Sequence, residues 1–239
     1  MQLTSTRAAF ATLSLTVALG ACRSVNDAQP TPARSSLTDE RVDAPATAAR
    51  PGSFAAPGTK AELGEPAPDF TLQDLAGTPV TLGRRRGKIV VLEWFSPDCP
   101  YSKYAHAAGP LKTLPADLKR QGVVWLTINS EAPDSQGGNP DLNRDFVAQH
   151  ALQAPLLFDP TGAVGRAYGA KSTPHLFVIN ERGKLVYRGA LDNAPLGTVS
   201  GDLAKTNYVE AAISDLKSGH AVATRETRAY GTPVHYQRP

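Results

Sequence analysis

Cys99 is the residue on which chemistry can be built. It stands in Ser96-Pro97-Asp98-Cys99-Pro100-Tyr101-Ser102-Lys103, just after an apolar run and just before a proline. A proline in the first position of a helix gives up only an N–H that would have no partner there. Cys99 is therefore expected where a helix begins, and there the unpaired N–H groups and the macrodipole favour a thiolate. The thiolate is the form that attacks disulfides and peroxides. Asp98 works against it, because a neighbouring carboxylate disfavours a second anion. The bland alternative is a small buried hydrophobe. Ser102 carries a hydroxyl able to hydrogen-bond the sulfur, although it cannot close a disulfide. Glu93 lies within the apolar run, where a carboxylate costs free energy unless paired or protonated, which flags it as a functional acid. The competing reading points it to solvent at the strand's end.

These residues need elements to hold them. Ile89 to Phe95 reads as a central strand covered on both faces, and Val123 to Asn129 as a second. Pro100 to about Gly109 reads as a helix, after which Pro110 and Pro115 divide the chain into short helical pieces. Leu142 to Leu152 and Thr161 to Tyr168 read as helices, with a short strand at Pro155 to Phe158. His175 to Asn180 and Leu185 to Leu191 form a hairpin turning at Arg182-Gly183. Asn207 to Ser218 has apolar residues at helical spacing and Gly219 behind it. Upstream, Phe70 to Leu82 reads as a β-hairpin around Gly77-Thr78. The expected fold is α/β, a central mixed β-sheet flanked by helices with an N-terminal β-hairpin extension.

The residues named so far, in this order, resemble the thioredoxin superfamily, specifically its redoxin branch, the alkyl hydroperoxide reductase/thiol-specific antioxidant group. The likeness runs through Gly64-Glu65-Pro66-Ala67-Pro68-Asp69-Phe70, the Cys99 segment, and Ser172-Thr173-Pro174-His175. It implies a thioredoxin-like fold and a reactive Cys99. It implies a cis-proline turn at Thr173-Pro174, with Thr173, Pro174, Pro100 and Tyr101 facing substrate. It implies a buried acid at Glu93 that moves protons to and from the thiol. Ser102 stands where dithiol members carry a second cysteine. Ser96 fits a peroxiredoxin position three residues before the cysteine, but Leu92 occupies the place of that group's proline. Relatives that end in Tyr/Phe-Gly-Cys have a further cysteine where this chain has Tyr230-Gly231-Thr232.

The chain has 239 residues and two cysteines, Cys22 and Cys99. That count excludes a disulfide scaffold and a thiolate-rich zinc site. The net charge of +3 is too mild to argue for nucleic acid. No phosphate loop is evident. No metal or cofactor is expected. Trp94, Trp125 and Phe95 read as core. His175 is expected at the rim of the site, and His106, His150, His220 and His235 as surface or core. Residues 1–21 read as a signal peptide: Arg7, a short apolar run, then Leu19-Gly20-Ala21-Cys22. This end resembles a bacterial lipobox, which implies a lipid on Cys22 and, with Arg23 after it, an outer-membrane anchor facing the periplasm. Residues 22–61 read as a Pro/Ala-rich tether, 62–219 as the folded domain, and 220–239 as a C-terminal tail.

If Cys22 is consumed by lipidation, the domain keeps one thiol. The leading expectation is a tethered thiol–disulfide oxidoreductase whose Cys99 is resolved by an external protein or small-molecule thiol. The alternatives are a one-cysteine thiol peroxidase and a non-catalytic binding module of the same fold.

Overall fold

The computed structural model describes residues 54–238. The signal peptide, Cys22 and most of the tether lie outside the described residues. In chain order the elements are β1 (Thr71–Asp74), β2 (Pro79–Thr81), β3 (Val90–Trp94), α1 (Pro100–Ala107), α2 (Leu114–Arg120) and β4 (Val124–Asn129). They continue with α3 (Pro140–His150), β5 (Leu156–Phe158), α4 (Ala163–Tyr168), β6 (Ser172–Thr173), β7 (His175–Ile179), β8 (Leu185–Gly189), α5 (Tyr208–Lys217) and β9 (Thr232–Pro233).

Seven strands form one mixed sheet in the order β2-β1-β5-β4-β3-β7-β8. β3 runs parallel to β4 and antiparallel to β7, so it is central, as its unbroken apolar run demands. The N-terminal hairpin extends the same sheet, because β1 pairs antiparallel with β5. Side chains of a strand alternate between faces, and two apolar layers follow. Val91, Trp125, Leu176, Val178 and Tyr187 pack with Ala105 of α1, Leu114 and Leu118 of α2, and Val209, Ala212 and Ile213 of α5. Val90, Leu92, Trp94, Leu126, Ile128 and Phe177 pack on the other side with Phe70, Leu82 and Tyr168. Phe95, Phe146 and Leu156 make a smaller cluster under α3.

The ends of the chain do more than the composition suggests. Ala55 N–H bonds the Ala67 carbonyl at 2.9 Å, and Ala61 is buried, so residues read as the tether's end join the fold. After α5 the chain runs back over the sheet's edge. β9 pairs antiparallel with β6 and makes a second, two-stranded sheet beside Cys99. Among the described residues no helix is long and apolar enough to cross a membrane.

Candidate functional site

β3 passes through both apolar layers and delivers the chain to Cys99 from inside the protein. Trp94 and Phe95 are fully buried. A turn over Ser96–Asp98 follows, and Cys99 is the N-cap of α1 with extended dihedrals, φ −70° and ψ 122°. Lys103 N–H donates to the Cys99 carbonyl at 2.9 Å and starts the helix. Pro100 takes the first turn, as read from the sequence. No side-chain hydrogen bond caps the helix, and the sulfur of the N-cap residue turns to the Thr173 carbonyl instead.

Cys99 is 1% exposed. Its Sγ donates to the Thr173 carbonyl at 2.8 Å. The Thr173–Pro174 peptide is cis, and both residues are buried. Burial pushes the Cys99 thiol up, but hydrogen bonds from the side chains of Thr173 and Thr232 and the backbone of Thr232 and Ser102 outweigh it and hold the thiol below its ordinary value. The geometry therefore serves both states. The thiol donates a hydrogen bond to a carbonyl, and the thiolate is met by donors from three segments.

Glu93 is fully buried and faces the α1 layer. Its Oε1 lies 2.7 Å from His106 Nε2. Its Oε2 accepts from Trp125 Nε1 at 2.9 Å and from Thr127 Oγ1 at 3.2 Å. The β3–β4 register, Glu93 opposite Thr127 and Val91 opposite Trp125, sets this up. His106 is seven residues beyond Cys99, so the two are about two turns apart on one side of α1. Ser102 lies between them, buried, and its Oγ has no partner among the described residues. The expected side-chain bond from Ser102 to the sulfur is thus absent, and the backbone of Ser102 serves the sulfur instead.

Ser96 Oγ is committed to the Asp98 carboxylate rather than to the sulfur. The two lie against Gly137, where a Cβ would run into Ser96, Asp98 and Glu131 together. Glu131 is buried. Its Oε2 accepts from the backbone N–H of His235 at 3.2 Å and lies 3.1 Å from His235 Nδ1, whereas its Oε1 is unpartnered. Burial raises the Glu131 carboxyl above its ordinary range against the pull of His235. Tyr101 is half-buried with its ring 5.8 Å from that of Tyr230. Pro100 stays exposed. His175, expected at the rim, is buried and accepts from Lys171 N–H at Nδ1, 3.2 Å. No group of three or more His, Cys, Asp or Glu is placed to hold a metal among the described residues.

The structure thus gathers Cys99, Ser102, Thr173 and Pro174 around the sulfur, with Glu93 beneath and Ser96 to one side. Sequence reasoning missed His106 as a site residue, and marked Tyr230-Gly231-Thr232 only as the place where relatives carry a further cysteine. The seven-residue step from Cys99 was a signal for His106. Thr232 and Tyr230 belong to a stretch with no period, and only the pairing of β9 brings them in.

The chain is similar to known proteins over much of its folded part. Residues 63–188 match the AhpC/TSA family. The thiol-disulfide oxidoreductase ResA of Halalkalibacterium halodurans is 30% identical over 134 residues, 56% of this chain and 72% of that protein. ResA of Geobacillus thermodenitrificans is 32% identical over 132 residues, 53% of this chain and 68% of that one. An uncharacterized conserved protein from Geobacillus kaustophilus superposes with a TM-score of 0.66 at 25% identity, covering 74% of this chain and 94% of its own. A hypothetical protein from Sinorhizobium meliloti 1021 does so with the same score and identity, over 76% and 98%.

Proposed function

The chain belongs to the AhpC/TSA family, with a thioredoxin-like fold, and on that premise we propose that it is a thiol–disulfide oxidoreductase with Cys99 as its single nucleophile. The observation that carries the reading is the sulfur at the α1 N-terminus, buried against the Thr173 carbonyl and held toward the thiolate by neighbouring donors. The Cys99 thiolate attacks one sulfur of a disulfide. A new S–S bond forms to Cys99, the old one breaks, and the departing sulfur leaves with its electron pair and takes a proton. With Ser102 in the second position, resolution comes from outside. An external thiolate attacks the mixed disulfide on the target's sulfur, and the Cys99 thiolate departs, ready for another cycle. The buried Glu93–His106 pair can accept and return a proton two turns below.

A peroxidase role is less favoured, because Ser96 Oγ is tied to Asp98 and Leu92 is buried in the core. The chain also carries a lipobox-like Leu19-Gly20-Ala21-Cys22. This supports a lipid on Cys22 and an outer-membrane anchor facing the periplasm, with protein or small-molecule thiols and disulfides as partners.

Two experiments test the proposal. The pH dependence of Cys99 alkylation should give a midpoint below the free-cysteine value of about 8.5, and a model disulfide should form a mixed disulfide that added thiol releases. Fast sulfenic acid formation from hydrogen peroxide with no disulfide exchange would select the peroxidase instead. An inert Cys99 would leave only a binding module. For the anchor, Cys22→Ser should leave the membrane fraction after a high-salt wash, and full retention would refute lipidation.

A further inference from the structure

β6 belongs to the two-stranded sheet, and its strand partner is β9. Thr173 lies opposite Thr232 and Ser172 opposite Pro233, and Val234 N–H bonds the Lys171 carbonyl at 3.1 Å. The hydroxyls of Thr173 and Thr232 are 3.1 Å apart. Gly231, at φ +122°, presses its backbone so closely on Thr173 that a Cβ there would collide with the Thr173 carbonyl. Tyr230 packs its ring against Tyr101 and donates its hydroxyl to Asp192 at 2.7 Å. Residues 230–234 therefore cover Tyr101 and Thr173, whose carbonyl meets the Cys99 sulfur at 2.8 Å, and so lie over the approach to that sulfur. An extended chain docks on a free strand edge through backbone hydrogen bonds. Here the protein's own chain occupies that edge.

The covering strand itself is short, whereas the residues after it are anchored: Ala132 N–H bonds the His235 carbonyl at 2.7 Å and the Tyr236 hydroxyl donates to the Ala170 carbonyl at 2.7 Å. β9 is two residues long, Pro233 is exposed, and Val234 is only half-buried. The His235 side chain, which closes the strap on Glu131, is 64% exposed. Segments with few buried apolar contacts open at low free-energy cost.

We propose that Tyr230–Val234 form a specificity gate at Cys99: docked, they stand in for an extended substrate and admit small thiol reagents in preference to polypeptides. An extended polypeptide reaches the sulfur by displacing β9 and pairing with Thr173 in its place. The gate deepens the thiol–disulfide reading by naming what selects the substrate. Its probe needs no disulfide chemistry, so the two can fail separately.

The full chain, Gly231→Val and a chain ending at Ala229, all carrying Cys22→Ser so that Cys99 is the one thiol, are compared for alkylation of Cys99 by N-ethylmaleimide and by a ten-residue extended peptide carrying a maleimide. Limiting high-pH rates are used, so that a changed Cys99 pKa does not enter. The full chain should favour the small reagent, and opening the gate should raise the peptide-to-small rate ratio by about tenfold or more. An unchanged ratio in a variant that melts cooperatively overturns the gate. Should both variants fail to fold, the full chain decides. Attachment of the maleimide peptide to its Cys99 should expose the Val234 amide to hydrogen exchange, and retained protection overturns the gate. Failure of the oxidoreductase reading looks different: the ratio shifts as expected, yet no form exchanges with a disulfide peptide.

Discussion

Glu93 is the most heavily invested side chain of the site. It satisfies His106, Trp125 and Thr127 at once inside the core. Removing one partner of such a pair strands the others without water. Glu93→Leu should therefore cost about 3–5 kcal/mol in urea unfolding, with Glu93→Gln clearly milder because it keeps the shape and an acceptor. His175 gives a pH signature of its own. Burial, with Lys171 and Arg188 in support and Glu226 opposed, lowers it from 6.5 to about 4. Between those values the unfolded chain binds a proton that the folded chain refuses. Stability present above pH 6.5 is thus lost as the pH falls toward 4, by up to about 3 kcal/mol. The stability gap between the unmodified chain and His175→Gln should shrink from pH 7 to pH 4.5 in paired urea titrations; a constant gap would refute this. At Thr232 the hydroxyl is within hydrogen-bonding reach of the Cys99 sulfur. Thr232→Cys should close an internal disulfide as oxygen takes two electrons and two protons, read as the loss of two hydrogen atoms in mass and a Cys99 thiol that no longer alkylates until reduced. The positions of Cys99 and Glu93 were legible because a cysteine before a proline and an acid in an apolar run both break local rules. His106 breaks none, and only tertiary contact gives it meaning; Thr232 was visible as the place of a relative's cysteine but not as the strand partner of Thr173.

At the scale of elements, the caps and breaks explain which parts of the chain could be read in advance. Asn207 accepts from the N–H groups of Val209 and Glu210 and starts α5, and Asn139 does the same for α3 through Asp141 and Leu142. Asn207→Ala should lower the thermal midpoint by an amount equivalent to about 1 kcal/mol, the usual worth of such a cap. Strands β3, β4 and β7 were visible as apolar runs because both their faces are covered. Pro110 and Pro115 announced the short helical pieces around α2. β6 and β9, of two residues each, hold too few positions to show any period. Their pairing is specified by the close approach of Gly231 to Thr173 and by the two threonine hydroxyls, and none of this is visible in local sequence. The same gap set the C-terminal stretch apart as a tail, when its residues 230–234 cover the site.

For the molecule as a whole, one sheet divides two apolar layers and a single described thiol sits where the sheet's central strand ends. With that sulfur 1% exposed beneath residues 230–234, two copies cannot bring their Cys99 atoms together while β9 is docked. With Cys22 replaced by Ser in both, mild oxidant should leave the chain monomeric on a non-reducing gel, and Gly231→Val should convert it to a disulfide-linked dimer. A full chain that dimerises as readily as the variant would contradict the cover. The two tryptophans are divided between the layers. Trp125 belongs to the α1, α2 and α5 side, where its indole N–H meets Glu93. Trp94 belongs to the other side, where its indole donates to Ser130 at 3.0 Å. Each layer thus contains one intrinsic fluorophore. With Trp94 replaced by Phe, the remaining tryptophan emission would come from the indole bonded to the buried Glu93, giving an optical record of that layer alone.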